Sequence, residues 1–232
     1  MLCPQDQVAR SAVLACEDAY FGGSSLLPYE FSTDRAGAIF GTVGDKTILA
    51  FVGSNDPSDW STLSGNLNSR FFQTSSMGGV HEGFWLSLSE VLEGVWDRLD
   101  AHGVGDSLVI AGHSRGGAHA ILMAAVLASR GIKASQVITF GSPPVGNKLF
   151  AKKYAALGIP TTRYVYQSDP VPAPPWFGYE EVGRLRWHNG RSWQYGRGMV
   201  GCLKTYLFSR NKLFLDLFQD HSIGSYVKSF GA

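Results

Sequence analysis

Residues 108–120 read LVIAGHSRGGAHA, and this stretch decides the fold. Leu108 to Ala111 form an unbroken apolar run of strand length, and Gly116 to Ala120 are small residues that open a helix. Ser114 stands at the corner, within Gly112-His113-Ser114-Arg115-Gly116. Glycine on both sides lets the strand and helix backbones meet where Cβ atoms would collide. The corner residue is forced into a sparsely populated backbone conformation that aims its Oγ away from the sheet. Free N–H groups at the start of the helix face the same place and favour negative charge that develops there. A strand, G-x-S-x-G and a helix in this order make a nucleophile elbow. A glycine-rich turn carrying an incidental serine is the plainer alternative, and the flanks weigh against it.

Outward from the elbow, the pattern predicts a helix over 116–130, a strand over 136–141, a helix over 147–156 and a strand over 161–167. On the other side, Val8, Ala12, Ala15, Cys16 and Ala19 recur at helical spacing and predict a helix over 6–20. Two strands, 36–43 and 46–52, flank the turn at Gly44-Asp45. Residues 53–79 are rich in Ser, Asn and Gly and read as a long surface loop. One amphipathic helix is expected from Phe84 through Leu88, Val91, Val95 and Trp96 to Leu99. Residues 179–200 alternate Arg, Trp and Gly and suggest a short hairpin or meander. Strands alternating with helices predict an α/β fold, a mostly parallel central sheet with helices on both faces. Neither a repeat nor a linker divides the chain, so 1–232 is read as one domain.

The bulk properties narrow the function. A chain of 232 residues with 44% hydrophobic and 17% charged residues can bury a sizeable core. Its net charge of +1 offers no basic stripe for nucleic acid. No run reaches the roughly 18 apolar residues of a membrane span. The start, MLCPQDQVARSAVL, lacks a basic region before a long apolar run, so no Sec signal peptide is expected, and a cytoplasmic location or another export route follows. Cys3, Cys16 and Cys202 have no metal-ligand spacing; one bridge among them would leave one thiol free. Neither a metal nor an organic cofactor is expected.

A serine at its ordinary pKa is a poor nucleophile, so a histidine base and an orienting carboxylate should follow it. Asp169, in TTRYVYQSDPVPAPP, lies just beyond a strand, where parallel sheets place functional groups, and Pro170 and Pro172 stiffen its loop. A turn-forming Asp before Pro is the plain alternative, and Asp216 and Asp220 are weaker candidates. For the base, chain order leaves His188, in RWHNG, and His221, in LFQDHSIGSY. His221 is favoured because the gap between two predicted helices lets a loop reach back over the sheet. His113, inside the elbow, is expected to pack or hydrogen-bond beside the strand.

Several segments resemble the class 3, or fungal-type, lipase family of α/β-hydrolases. They are ILAFVGS followed by DW, VHEGF at 80–84, GHSRGGAHA, ITFGSPPVGN, RYVYQSDPVPAPP and DHSIGSY, spanning residues 48 to 226 in the family's order. The resemblance implies Ser114, Asp169 and His221 as nucleophile, acid and base. It also implies an oxyanion hole from the backbone N–H groups of Ser54 and Arg115, and a structural role for His81. The family usually carries an apolar residue at the position of Arg115. A guanidinium there leaves room for an acidic or phosphate-bearing substrate.

Residues 55–67, NDPSDWSTLSGNL, fall where such enzymes carry a lid, with Trp60, Leu63 and Leu67 as a sparse apolar face; an ordinary loop is the alternative. Residues 202–218 read as a core-packing helix, with a cap or an interfacial surface as alternatives. The function implied is hydrolysis of acyl esters, those of lipids foremost, through an acyl-enzyme, with transient contact to a lipid interface. Acyl transfer or amide hydrolysis on the same elbow, or a non-catalytic binding protein with this fold, are the other classes.

Overall fold

The computed structural model describes residues 4–23, 27, 29–33, 35–54, 70–102, 107–172, 178–195 and 219–231. Eight strands form the main sheet: β1 (Tyr29–Ser32), β2 (Gly37–Val43), β3 (Lys46–Phe51), β6 (Leu108–His113), β7 (Gln136–Phe140), β9 (Thr161–Tyr166), β11 (Arg184–His188) and β12 (Trp193–Tyr195), side by side in that order. The five from β3 to β11 run parallel, and antiparallel strands close both edges. Alternation along the strands divides the core in two. Leu49, Phe51, Leu108, Ile110 and Val137 face one layer, with Ile48, Ala50, Val109, Ala111, Ile138 and Phe140 on the other.

The first layer holds α2 (Glu82–Ser89), α3 (Leu92–His102), α4 (Arg115–Ser129) and α5 (Lys148–Ala156), whose Phe84, Leu88, Val95, Leu122 and Phe150 are buried together. On the opposite face α1 (Pro4–Tyr20) lies against β3 and β6 beside α6 (Ile223–Ser229). Ala9, Ala12 and Ala19 let it approach closely, and their burial fits the expected helix over 6–20. A buried ion pair, Arg186 with Asp6 at 2.8 Å, ties α1 to β11 across 180 residues.

Three expectations are corrected. The long surface loop at 53–79 contains an antiparallel pair, β4 (Phe71–Thr74) and β5 (Gly78–His81). With β8 (Gly146–Asn147) and β10 (Tyr179–Glu180) it forms a second, four-stranded sheet. Thr74 Oγ1 donates to the Gly78 carbonyl at 2.8 Å and closes the hairpin, while Phe71 packs on Tyr179 at 4.6 Å. The single amphipathic helix over 84–99 is two helices broken at Glu90-Val91, where the N–H groups turn back to the carbonyls of Ser87 and Leu88. Glu90 is held there by Arg35 and Thr33. The hairpin at 179–200 is real as β11–β12, but β11 extends the main sheet parallel to β9.

Among the described residues no helix is long and apolar enough to cross a membrane. Cys16 is a buried free thiol; Cys3, Cys202 and the helix expected at 202–218 lie outside the described residues.

Candidate active site

The elbow forms at the end of β6. Ser114 has φ 57° and ψ −128°, a left-handed strain that a non-glycine residue adopts only when its surroundings fix it. Its N–H donates to the Phe140 carbonyl at 2.9 Å, anchoring the turn to the next strand. The glycines are needed for space. A Cβ on Gly112 would strike the Gly116 carbonyl, one on Gly116 would strike the Phe51 carbonyl, and one on Gly117 would lie 2.6 Å from Ser142 Cβ.

Three elements then converge. His221 ends a helical turn over 219–221, just ahead of α6. Its Nε2 lies 2.9 Å from Ser114 Oγ, and its Nδ1 lies 2.9 Å from both carboxylate oxygens of Asp169. A carboxylate only accepts, so Nδ1 carries the proton and Nε2 is left to accept from the serine hydroxyl. All three side chains are buried. Asp169 also receives the Tyr226 hydroxyl at 2.5 Å on Oδ2 and the Val171 N–H at 2.9 Å on Oδ1, so both of its oxygens are fixed. Gln167, two residues earlier, takes φ 41° to turn the chain out of β9. Gly141 makes the meeting possible: a Cβ there would lie 2.5 Å from Asp169 Oδ2 and 3.0 Å from the His221 ring.

Sequence reasoning left Tyr226, Gly141 and Tyr20 without a role, and expected His113 to pack or hydrogen-bond beside the strand, which it does. His113 is buried and pushed well below the ordinary histidine pKa by desolvation, with repulsion from His221 adding, so its ring is neutral. Its Nε2 lies 2.7 Å from the His221 carbonyl, which can only accept. The single proton therefore sits on Nε2, and Nδ1 accepts from the Tyr20 hydroxyl at 2.7 Å. The same hydroxyl fills the space above Gly53, where any Cβ would collide with it. Tyr20 thus braces both the backbone of His221 and the chain leading to Ser54. Two signals were present in the sequence, a glycine before Ser54 and a histidine inside the elbow.

Ser54 follows β3, whose Phe51 pairs with Gly112 of β6, and this register brings it beside the elbow. Its Oγ is buried and has no hydrogen-bond partner among the described residues. A buried hydroxyl left so is costly, and a developing oxyanion would be a partner for it. Arg115 starts α4 and is half-buried. Its charge reaches His119 one turn on, whose pKa falls to about 3 through burial first and this repulsion second.

The other candidates lie elsewhere. His188 ends β11, stacked on Tyr166 at 4.9 Å and accepting the Gly190 N–H on Nδ1. Asp220 is used structurally, its Oδ2 accepting the Ser168 N–H at 3.1 Å. His81 caps α2 by accepting the Phe84 N–H, and burial lowers its pKa to about 4. Trp60, Leu63, Leu67 and Asp216 lie outside the described residues. Among the described residues no group of three or more His, Cys, Asp or Glu is placed to hold a metal ion.

A family model described as Lipase (class 3) matches residues 48–178, more than half of the chain. Secreted mono- and diacylglycerol lipase A of Penicillium camembertii is 32% identical over 186 residues, 74% of this chain and 59% of the relative. A lipase of Rhizopus oryzae is 36% identical over 118 residues, 47% of this chain and 30% of the relative. The chain thus spans less than two thirds of these relatives' lengths. Among solved structures, lipase II from Rhizopus niveus superposes with a TM-score of 0.66 at 25% identity, covering 82% of both chains. A mutant of MDLA from Penicillium cyclopium superposes with a TM-score of 0.71 at 20% identity, covering 95% of this chain and 96% of the other.

Proposed function

The chain belongs to the class 3 lipase family and has the α/β-hydrolase fold, and from that premise we propose that it is a serine hydrolase of carboxylic esters, acting on lipid acyl esters. One observation carries the reading: the continuous contact from Ser114 Oγ through His221 to Asp169, at 2.9 Å in each step.

In the proposed reaction His221 Nε2 takes the hydroxyl proton as Ser114 Oγ attacks the ester carbonyl. Asp169, held by Tyr226 and Val171, keeps the imidazole oriented and balances the charge it gains. Negative charge on the tetrahedral oxygen falls to the backbone N–H groups of Arg115 and Ser54, with the Ser54 hydroxyl as a further donor. His221 returns the proton to the leaving alcohol. Water then attacks the acyl-enzyme by the same steps reversed. These steps are complete without a metal or an organic cofactor.

The substrate class rests on relatives named for it: mono- and diacylglycerol lipases, and a phospholipase A1 of Arabidopsis thaliana, 35% identical over 98 residues. We take residues 1–232 as one catalytic domain with a short lid at 55–67 that meets the lipid surface. Two relatives from Penicillium are named as secreted, which favours action outside the cytoplasm. The test is a hydrolysis profile over p-nitrophenyl esters of increasing acyl length, with and without a lipid interface. Turnover of the esters supports the proposal. No turnover at any length by folded protein overturns it.

A further inference from the structure

On the face of the main sheet that carries α2 to α5, an open groove of about 570 Å³ lies at the far end of α4 from Ser114. Its lining is strongly apolar. Leu122 and Phe150 form the buried floor, with half-buried Val126 beside them. One wall is an aromatic pair, Phe72 stacked on Trp85 with ring centroids 5.5 Å apart and an interplanar angle of 13°. Phe72 is 37% exposed, an unusual place for a phenylalanine ring that already has a stacking partner.

Cations border this apolar surface. Arg130, just past α4, lines the groove with its guanidinium 4.2 Å above the Trp96 ring, and it makes no ion pair within the described residues. Lys153 of α5 reaches the carbonyl of Ser76, a rim residue, with its Nζ 2.5 Å from the oxygen. The Ser75-Ser76 turn is therefore fixed beside a second positive charge. An apolar trough with positive charge at its borders complements a molecule with one anionic head and a single long alkyl chain. An uncharged apolar ligand would not use Arg130, and a bulky polar one would desolvate against Phe72, Trp85 and Val126.

We propose that this groove binds the carboxylate form of a free long-chain fatty acid, its head against Arg130 and its chain along Val126, Leu122 and the Phe72–Trp85 pair. This is a site separate from Ser114, and it stands on the groove's own chemistry rather than on the hydrolase reading. Affinity grows with chain length. A fully enclosed methylene adds about fourfold, and a groove open on one side adds about twofold.

The test uses 12-bromododecanoic acid, whose bromine quenches tryptophan fluorescence on contact, with 12-bromododecanol as its uncharged counterpart. The wild-type chain is expected to show saturable quenching by the acid, three- to fivefold tighter than by the alcohol, as an exposed charge contact allows. Arg130→Gln should bring the acid to the affinity of the alcohol. Val126→Glu should abolish saturable quenching by the acid, and Trp85→Phe should remove most of its amplitude while binding of the acid followed by titration calorimetry stays saturable. Arg130 is exposed, so its variant tests the head contact without disturbing the core. Equal affinities of acid and alcohol for the wild type would overturn the proposal. So would quenching unchanged by Val126→Glu or by Trp85→Phe, which would put the ligand elsewhere, including at Ser114. Both outcomes are read without turnover, so they are independent of any failure of ester hydrolysis.

Discussion

His119 gives the sharpest handle on stability. It is fully buried in α4, its ring edge-on to Phe51 at 6.0 Å, with Nε2 2.8 Å from Ser87 Oγ and Nδ1 without a partner among the described residues. Its pKa in the folded protein is about 3, against 6.5 for a free imidazole, so between those values only the unfolded chain takes up the proton. Stability due to this residue is therefore complete above the unfolded value and is lost as pH falls below it. From about pH 7.5 to about pH 5 the unfolded state gains roughly 2 kcal/mol of protonation free energy, while the folded ring gains almost none. Replacing His119 with Leu removes that pH dependence. Ser87 Oγ keeps the carbonyls of Gly83 and Phe84 as acceptors, so the substitution strands no buried hydroxyl. Stability near pH 7.5 should then change by no more than about 1 kcal/mol, as for a shape-tolerant core exchange. Thermal unfolding followed by circular dichroism across this range should show the wild type losing roughly 4–8 °C more than His119→Leu, at 2–4 °C per kcal/mol for a chain of this size. Parallel loss of Tm in the two proteins would refute the reasoning, because it would mean that the buried ring is protonated in the folded state or that the site opens before the rest unfolds.

Other outcomes follow from the site. His221→Ala should lower kcat for ester hydrolysis by on the order of 10⁴ or more, while His188→Ala leaves it within about tenfold; the reverse result would move the base to β11. Tyr20→Phe removes the donor to His113 Nδ1 and should cost about 1–3 kcal/mol of stability, with a drop in kcat as the His221 backbone loosens; unchanged kcat and Tm would show that the brace is idle. Trp60→Ser should flatten an already shallow rise in rate as substrate passes its solubility limit, because a lid with only three apolar residues, Trp60, Leu63 and Leu67, has little area to trade for lipid, worth on the order of a few kcal/mol at most. A steep jump unaffected by Trp60→Ser would place the lid elsewhere, with 202–218 the first candidate.

How far the sequence could be read depended on how local each cause was. The elbow was legible because its glycines answer a clash within five residues, and the strand and helix on either side carry their own apolar patterns. Asp169 and His221 followed from chain order and position after a strand. Pairing across the sheet was not legible. The alternation of Arg, Trp and Gly over 179–200 suggests a hairpin or meander but not the parallel pairing of β11 with β9, because nothing local shows that Arg186 is buried against Asp6 at the other end of the chain. β4 and β5 were hidden by Ser75, Ser76, Gly78 and Gly79, which read as loop until β8 and β10 are seen to complete the second sheet. The break at Glu90 escaped because apolar spacing continues through it, and only the contacts from Arg35 and Thr33 show why the helix stops. Tyr226 escaped for the same kind of reason: helical spacing marks it as a core residue and gives no sign that its hydroxyl reaches Asp169.

The central claim is that Ser114 is an activated nucleophile. Its most direct test is the intact mass of the protein after exposure to a fluorophosphonate, for the wild type and for Ser114→Ala. The account predicts one adduct on each wild-type chain, located at Ser114. It predicts none on the variant, whose circular dichroism matches the wild type and whose ester turnover falls by on the order of 10⁴–10⁶. An unlabelled wild type, or a Ser114→Ala chain that is still labelled or still turns over esters near the wild-type rate, would contradict it.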